Sequence, residues 1–232
     1  MTTHLELMRL HIEALFTHDA NGDMLRVNEP NGPVAPRLFL GRTAEGVVLH
    51  FRHDVDRASR REIEAACERQ LAQPRPLDMP TDPLPYQQIL DRAGPVEKTW
   101  LGSAFWIPPT IQPTAATVTV TSENAELLRP LLEVWLPDVE SSQPLVARII
   151  EERAVSLCCS GRRTKAAHEA AVETAIAYRN RGYGSEVVRA WARAVYAAGA
   201  LPLYSIAWEN SASRAVMRKL EVSSFGTDLH IT

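Results

Sequence analysis

The segment Val172–Ser185, VETAIAYRNRGYGS, decides the fold of this chain. Its first residues continue an apolar strand, its last residue begins an amphipathic helix, and Gly182 and Gly184 lie in the turn between them. Glycine has no Cβ atom, so the backbone of this turn can approach a ligand closely. Because the first N–H groups of a helix are unpaired and its dipole favours an anion, we predict a phosphate or pyrophosphate site here.

The spacing of the two glycines separates this turn from other nucleotide-binding loops. It does not follow the G-x-G-x-x-G pattern of dinucleotide sites, and no Gly-Lys-Ser/Thr follows, as it would in a P-loop. A glycine pair before a helix is also common in ordinary strand-to-helix turns. The surrounding sequence therefore has to decide between a binding loop and a plain turn.

Hydrophobic periodicity predicts further strands and helices on both sides of this segment. From Thr117 onward the order is strand, helix, three strands, helix, strand, helix, strand. The predicted strands are Thr117–Val120, Val146–Ile150, Ala154–Cys159, Ala170–Ile176, Leu203–Ala207 and Phe225–Ile231, and the later helices are Ser185–Ala198 and Ser211–Leu220. Pro130 falls inside the helix predicted over 127–132, so that helix should be kinked or short.

Composition excludes several classes of protein. The chain has 232 residues, of which 45% are hydrophobic and 23% charged, as in ordinary globular proteins. A net charge of −3 provides no basic surface for nucleic acid, and no apolar run is long enough to span a membrane. Three cysteines argue against a disulfide framework, and Cys158 and Cys159 point to opposite faces of a strand. We therefore expect a cytoplasmic protein without a metal.

Prolines are concentrated in the middle of the chain. They cluster between Pro74 and Pro113, and proline blocks both helix interiors and central strands. We predict an N-terminal α+β region over residues 1–74, a mostly extended proline-rich connection over 75–116, and a C-terminal domain over 117–232.

Two motifs of the C-terminal domain resemble the GNAT N-acetyltransferase superfamily. Arg179-x-x-Gly182-x-Gly184 resembles the family's R/Q-x-x-G-x-G/A signature, and 201–213 resembles its fifth strand and the Asn-x-x-Ser/Ala start of the next helix. The resemblance covers about residues 118–232, and the predicted element order is the family's. It implies an α/β (α+β) GNAT fold, with a mixed, mostly antiparallel twisted sheet flanked by helices. The N-terminal α+β extension is typical of a bacterial branch.

The resemblance also implies a cofactor, acetyl-CoA. In this family the pyrophosphate binds to the amides of the signature loop, and the pantetheine arm adds to the edge of strand four where strands four and five part. The implied cofactor-binding residues are Val172, Glu173, Thr174, Arg179, Asn180, Arg181, Gly182, Tyr183, Gly184, Ser185, Asn210 and Ser213.

The implied reaction is acetyl transfer from the thioester to the primary amine of a small molecule. An amine that is protonated at neutral pH needs a general base. Glu173 is the first candidate, because a carboxylate among alanine and valine is costly to bury without a role or a partner. A local hydrogen bond is the other interpretation of Glu173. His168 and Glu169, at the start of the same strand, are second candidates.

Two positions depart from the family pattern. Met217 stands where many members have a tyrosine that protonates the leaving thiolate, so the general acid is unassigned. Either the thiolate leaves without an acid, or Tyr204 or Ser205 replaces the tyrosine. Glu221 stands where a glycine commonly ends the helix, so this turn should differ locally.

Met217 also supports an alternative function, that of a non-catalytic acyl-CoA-binding or interaction protein with a GNAT fold. The expected partner of the enzyme is a small-molecule amine, with no nucleic acid and no membrane, in a monomer or homodimer. The sequence does not identify the amine. Acceptor pockets in this family lie outside the cofactor core, so we expect residues 1–116 to pack against that core and to provide the wall of the acceptor site.

Overall fold

The computed structural model describes residues 2–72 and 76–232. In chain order, the α-helices are α1 (His4–Leu15), α2 (Arg57–Leu71), α3 (Leu84–Leu90), α4 (Tyr183–Ala197) and α5 (Ser211–Leu220). The strands are β1 (Phe16–His18), β2 (Met24–Val27), β3 (Leu38–Thr43), β4 (Val47–Phe51), β5 (Thr99–Trp106), β6 (Val118–Thr119), β7 (Leu145–Ile150), β8 (Arg153–Arg163), β9 (Ala167–Thr174), β10 (Leu201–Ala207) and β11 (Ser224–Ile231). Short 3₁₀ helices cover Ala125–Leu128, Glu133–Asp138 and Ile176–Tyr178.

The chain forms two compact units. The first comprises Met1–Ala104, Ile206–Glu209 and Ser224–Thr232, and the second comprises Phe105–Ser205 and Asn210–Ser223. The predicted domain boundaries, 1–74, 75–116 and 117–232, stay a prediction of the sequence, and the first of them falls at Pro74, outside the described residues.

Helices of the first unit begin at residues suited to capping. Thr3 and Glu6 form a capping box at the start of α1, and the Asp56 carboxylate accepts hydrogen bonds from the N–H groups of Ala58 and Ser59 at the start of α2. Such caps satisfy donors that have no partner inside the helix. These caps, which are encoded locally, fix where the two helices start.

The sheet of the first unit has the strand order β4, β3, β11, β5, and β3 runs antiparallel to both of its neighbours. Helix α1 contacts β3, β4 and β11, and a core that includes Leu38, Ile63, Tyr86 and Leu229 is buried within the unit. These are apolar side chains contributed by β3, α2, α3 and β11. Burial of their surface is the main stabilising contribution to the unit.

A buried ionic cluster lies on β11 of the first unit. The Asp228 carboxylate is 1% exposed, and its Oδ2 atom lies 2.9 Å from His11 Nε2 and 3.0 Å from His230 Nε2. Burial alone raises the pKa of Asp228, but the hydrogen bonds to the two histidines outweigh it and hold this pKa well below its usual range. The cluster therefore keeps an ionised carboxylate inside the unit.

The second unit is built on the strand order β10, β9, β8, β7, β6. Neighbouring strands run antiparallel except β9 and β10, which run parallel. Helix α4 contacts β7, β8 and β9 through the face that carries Val187, Val188, Trp191 and Val195, all buried. The predicted fold class, a mixed and mostly antiparallel sheet flanked by helices, is confirmed.

The proline-rich stretch contains more regular structure than the mostly extended connection that was predicted. Helix α3 begins directly after Pro83 and has Pro85 in its first turn, and β5 follows at Thr99–Trp106. Proline is tolerated in a first helical turn, because the N–H group that it lacks has no partner there in any case. The density of prolines alone therefore failed to predict helix α3 and strand β5.

The leucine-rich segment after β6 also differs from a single helix. It forms two 3₁₀ helices, Ala125–Leu128 and Glu133–Asp138, on either side of Pro130. Proline cannot donate an N–H group and its ring clashes with the preceding turn, so an α-helix does not continue through it. Leu128 and Leu132 are nevertheless buried, as an apolar helix face predicted.

Within the described ranges 2–72 and 76–232, no helix combines the length and the apolar character that crossing a membrane requires.

Candidate active site

The glycine turn forms the N-terminus of α4. Gly182 is the N-cap residue and has a φ angle of 92°, a left-handed conformation that glycine adopts without steric cost. It provides no side-chain cap for the first turn of the helix. Ser185 closes the turn, because its hydroxyl donates to the Gly182 carbonyl oxygen at 2.7 Å. The positive end of the helix dipole is therefore presented by backbone alone.

Gly184 lets two elements approach the turn. A Cβ atom at Gly184 would lie 3.2 Å from Val216 Cγ2 and 3.7 Å from Thr174 Oγ1. The first distance is tighter than an ordinary van der Waals contact, so a larger residue would push α5 away. Glycine at this position therefore keeps β9, α4 and α5 close together around one hollow.

Strands β9 and β10 part within the second unit. They pair only over Leu201↔Ala167, Pro202↔His168 and Leu203↔Glu169, whereas the β8 ladder continues along β9 to Thr174. Among the described residues, 170–174 of β9 therefore have no β10 partner in that ladder. The result is an open strand edge, the kind of edge to which an extended ligand adds by main-chain hydrogen bonds.

The ladder also indicates which backbone groups this open edge presents. The Ala175 N–H donates to the Val155 carbonyl on the β8 side at 2.9 Å. Alternation along an antiparallel pair then directs the groups of Glu173 toward β8 and those of Val172 and Thr174 toward the opposite edge. In agreement, the Thr174 carbonyl accepts a hydrogen bond from Arg179 Nε at 3.0 Å. The Val172 N–H is accordingly the donor that the edge offers next to Glu173.

One cavity of about 670 Å³ joins the open edge to the glycine turn. Its lining consists of Val172, Glu173, Thr174, Tyr178, Arg179, Asn180, Gly182, Tyr183, Gly184, Ser185, Tyr204, Asn210, Ala212, Ser213, Ala215, Val216 and Lys219. All of these residues belong to the second unit. The structure thus brings together most of the residues that were predicted to bind a cofactor.

Arg181 is the predicted cofactor-binding residue that does not line this cavity. Its guanidinium donates to the Ala177 carbonyl at 3.1 Å and lies over the Tyr178 ring. The loop therefore uses Arg181 to hold its own backbone. Arg179 lines the cavity and keeps an exposed position next to it.

Glu173 lies half-buried on the wall of the cavity. Its Oε2 atom accepts a hydrogen bond from the indole N–H of Trp135 at 2.6 Å. Trp135 belongs to the 3₁₀ helix Glu133–Asp138, so this contact is not the local hydrogen bond that the sequence left open. A carboxylate with one oxygen held by a donor keeps a second oxygen for a proton or a further donor.

Tyr204 lies on β10 immediately beyond the last pair with β9, and it lines the cavity. Burial raises its pKa to about 12, so the phenol is protonated at neutral pH and available as a proton donor. Its hydroxyl donates to Ser213 Oγ at 3.1 Å. Met217 is buried and is not among the residues that line the cavity. Ser205 donates to Glu169 instead.

His168 lies in the interior of the second unit and not on the cavity wall. Its Nδ1 atom lies 2.8 Å from Ser160 Oγ, which also accepts a hydrogen bond from the Trp191 indole at 3.1 Å. Burial, with a smaller contribution from the charge of Arg163, lowers the pKa of His168 to about 4. The imidazole is therefore neutral in the folded protein at physiological pH.

The neutral His168 predicts a pH dependence of stability. Between the ordinary pKa of 6.5 and the folded value of about 4, the unfolded chain binds a proton that the folded one does not. The free energy of unfolding should therefore fall as the pH is lowered through this window, by about 2 kcal/mol from this residue. Urea unfolding at pH 7 and pH 4.5 should show a smaller difference in His168→Gln than in the wild type. The exposed His53→Gln is the control, and equal pH dependence in all three proteins would contradict the assignment.

One face of α5 completes the cavity, and sequence reasoning named only Ser213 and the Asn210 cap there. Ala212, Ala215, Val216 and Lys219 recur at helical spacing after the Asn210 cap, which is the available signal. Lys219 Nζ lies 3.6 Å from where a Cβ atom of Gly182 would be. A cation thus stands directly over the helix terminus and adds to its positive potential.

Comparison with known protein families finds a match over the segment that contains most of the cavity. Residues 149–227 match the model of the FR47-like protein family. A comparison with curated protein sequences found no similar sequence.

Several solved structures are similar to this chain. A GNAT-family protein from Novosphingobium aromaticivorans shares 14% identity at a TM-score of 0.49, over 59% of this chain and 65% of its own length, so the chain spans less than two thirds of it. A GCN5-related N-acetyltransferase-like protein from Streptococcus suis shares 15% identity at a TM-score of 0.48, over 64% of this chain and 68% of its own. A GCN5-related N-acetyltransferase from Kribbella flavida shares 14% identity at a TM-score of 0.48, over 100% of this chain and 95% of its own.

The FR47-like match begins in β7, passes through the parted strands and the glycine turn, and ends in β11. Over these residues the chain is similar to FR47-like proteins, and the loop Arg179–Gly184, which carries the resemblance to the GNAT superfamily, begins α4. The match and this geometry support that resemblance.

Proposed function

We propose that this protein is an acetyl-CoA-dependent N-acetyltransferase that acts on the primary amine of a small molecule. The observation that carries the proposal is the continuity of three features in one cavity: the open edge of β9, the N-terminus of α4 and the carboxylate of Glu173. The open edge suits the extended arm of an acyl-CoA, and the helix N-terminus suits its pyrophosphate. The carboxylate of Glu173 suits an amine that must lose a proton.

The residues of the cavity fit such a cofactor. The left-handed Gly182 and the crowded Gly184 leave a cradle of bare backbone that a Cβ atom would fill. Positive charge from Lys219 and Arg179 lies beside it, as a pyrophosphate requires. Along the open edge, the Val172 N–H would hold the acyl carbonyl, and Asn210 and Ser213 would flank the arm. When bound, acetyl-CoA supplies an acetyl thioester whose transfer yields an acetamide and a free thiol.

The chain's own groups would move the protons of this transfer. The Glu173 carboxylate would accept, directly or through a water molecule, the proton that the substrate's ammonium group must lose before its nitrogen can attack. The Val172 N–H would stabilise the negative charge that develops on the carbonyl oxygen. Tyr204, whose hydroxyl is protonated at neutral pH, would donate a proton to the departing sulfur. In total the ammonium nitrogen loses two protons as the N–C bond forms and the C–S bond breaks; one is matched by the proton delivered to the sulfur, and the other is released to solvent.

Two measurements test the proposal. Acetyl-CoA at about a hundred times its Kd should stabilise the protein by about 2.7 kcal/mol in thermal unfolding. A panel of small primary amines, assayed by thiol release, should contain at least one substrate. Stabilisation without turnover over a broad panel would favour the alternative of a non-catalytic acyl-CoA-binding protein. Absence of stabilisation at millimolar acetyl-CoA would exclude both functions.

The role of Tyr204 gives a separate prediction. Tyr204→Phe should lower kcat by about 10- to 100-fold, because the departing sulfur loses its proton donor. Affinity for acetyl-CoA should change little, since the ring remains. Tyr196→Phe is a matched control, because the Tyr196 hydroxyl donates to the Ile107 carbonyl at 2.7 Å and the residue does not line the cavity. An unchanged kcat in Tyr204→Phe would mean that the thiolate leaves without this acid.

A further inference from the structure

Trp135 packs on the core of the second unit, and its polar edge contacts Glu173, which lines the cavity. Its side chain is half-buried and packs against a buried cluster that includes Leu128, Leu132 and Leu157. Only its N–H group is directed to a charged partner, Glu173 Oε2, at 2.6 Å. The donor is thus packed against the core, while the acceptor lies on the cavity wall.

The chemistry of the indole limits what this contact does. An indole N–H only donates, so it can neither take a proton from Glu173 nor supply one to it at neutral pH. A hydrogen bond to an ionised acceptor is stronger than one between neutral groups, and a distance of 2.6 Å fits that class. The contact therefore fixes the orientation of the Glu173 side chain without taking part in proton transfer.

Other tryptophans of the same unit show what an ordinary structural indole bond looks like. The Trp106 N–H donates to the Tyr196 hydroxyl at 2.9 Å, and the Trp191 N–H donates to the Ser160 hydroxyl at 3.1 Å. Both acceptors are neutral, and neither lines the cavity. The Trp135 N–H instead donates to a carboxylate, that of Glu173, and Glu173 lines the cavity.

From these contacts we propose that Trp135 is a positioning residue for acetyl transfer, which holds one oxygen of Glu173 so that the other is left to take the amine proton. The inference rests on the proposed function, because it takes Glu173 as the base. Catalytic groups must be held close to their productive geometry, and a donor anchored in the core supplies that restraint.

A double-mutant cycle tests whether Trp135 acts through Glu173. Trp135→Phe removes the N–H group and keeps an aromatic side chain, and we expect kcat to fall by about tenfold while the Kd for acetyl-CoA stays within about twofold. In a Glu173→Gln background the same substitution should cost less than about twofold, because the base on which it acts is already lost. Trp106→Phe is the matched control and should leave kcat unchanged in both backgrounds.

A spectroscopic measurement tests the contact independently of turnover. The chain has 5 tryptophans, so ¹⁵N-labelled protein gives a small set of indole signals that Trp→Phe variants assign. Glu173→Gln exchanges a charged acceptor for a neutral one, so the Trp135 indole proton should move upfield while the Trp106 signal stays in place. This readout remains valid if no amine substrate is found, so failure of the positioning inference is distinguishable from failure of the proposed function.

Three results would overturn the inference. One is an equal loss of kcat from Trp135→Phe in the wild-type and Glu173→Gln backgrounds, which is the behaviour of a residue that only supports the fold. The other is a Trp135 indole signal that does not respond to Glu173→Gln. An unchanged kcat in the single variant would likewise exclude a positioning role.

Discussion

Gly182→Trp should abolish acetyl-CoA binding while the protein remains folded. The substitution fills the cradle at the start of α4, where the φ angle is 92° and Lys219 Nζ is the neighbouring atom. If affinity falls by about a hundredfold, the ligand concentration that stabilises the wild type by about 2.7 kcal/mol stabilises the variant by only about 0.4 kcal/mol. Thermal unfolding with and without acetyl-CoA measures this difference directly.

The control for Gly182→Trp lies at the other end of the same helix. Gly199 follows α4 with a φ angle of 81°, and a Cβ atom there would meet nothing within 4 Å. Gly199→Trp therefore carries the same kind of backbone cost, about 1–2 kcal/mol for a left-handed residue, away from the cavity. It should lower stability to a similar extent and retain the response to acetyl-CoA. Full retention of that response in Gly182→Trp would disprove the assignment of the loop.

Glu173→Gln should eliminate most of the turnover and leave binding of acetyl-CoA intact. Glutamine has nearly the same shape and still accepts a hydrogen bond from Trp135, but it cannot take up a proton. Loss of a general base costs about 10²- to 10⁴-fold in rate. The measurement is thiol release with the best amine of the panel, together with the acetyl-CoA-induced stabilisation of the same variant.

A glutamate elsewhere in the second unit provides the comparison for this variant. Glu140 is exposed and does not line the cavity, so Glu140→Gln changes the net charge by the same amount without touching the site. Its turnover should equal that of the wild type. If Glu173→Gln were as active as Glu140→Gln, the base would have to be another group, and the position of Glu173 on the open edge would serve binding only.

Local sequence predicts the parts of the site that depend on neighbours in the chain. The amphipathic spacing after Ser185 predicted α4 to within two residues at its start, and α5 was predicted at its observed bounds. The Asn210 cap accepts from the Ser213 N–H at 3.0 Å, within one helical turn. Capping, glycine conformation and apolar periodicity all act over a few residues, so they can be read from the chain directly.

Helices and side-chain positions were predicted less well where a local sequence rule did not decide the structure. The helix α3 within the proline-rich stretch was missed, because the rule that proline blocks helices does not apply to a first turn. His168 was a candidate base by its position on the strand, but which face it occupies depends on Ser160 and Trp191, which no local pattern connects to it. Burial, not sequence position, lowers its pKa.

By itself, the sequence predicted the glycine turn at Gly182, the helix that follows it, the strand that carries Glu173 and the resemblance to the GNAT superfamily. Only the tertiary structure decided that the pairing of β9 and β10 ends at Leu203, that Ala212, Ala215, Val216 and Lys219 line the cavity, and that the Trp135 indole holds Glu173. The first group follows from steric and hydrogen-bonding preferences between adjacent residues. The second depends on contacts between distant segments, which are set when the whole core packs together.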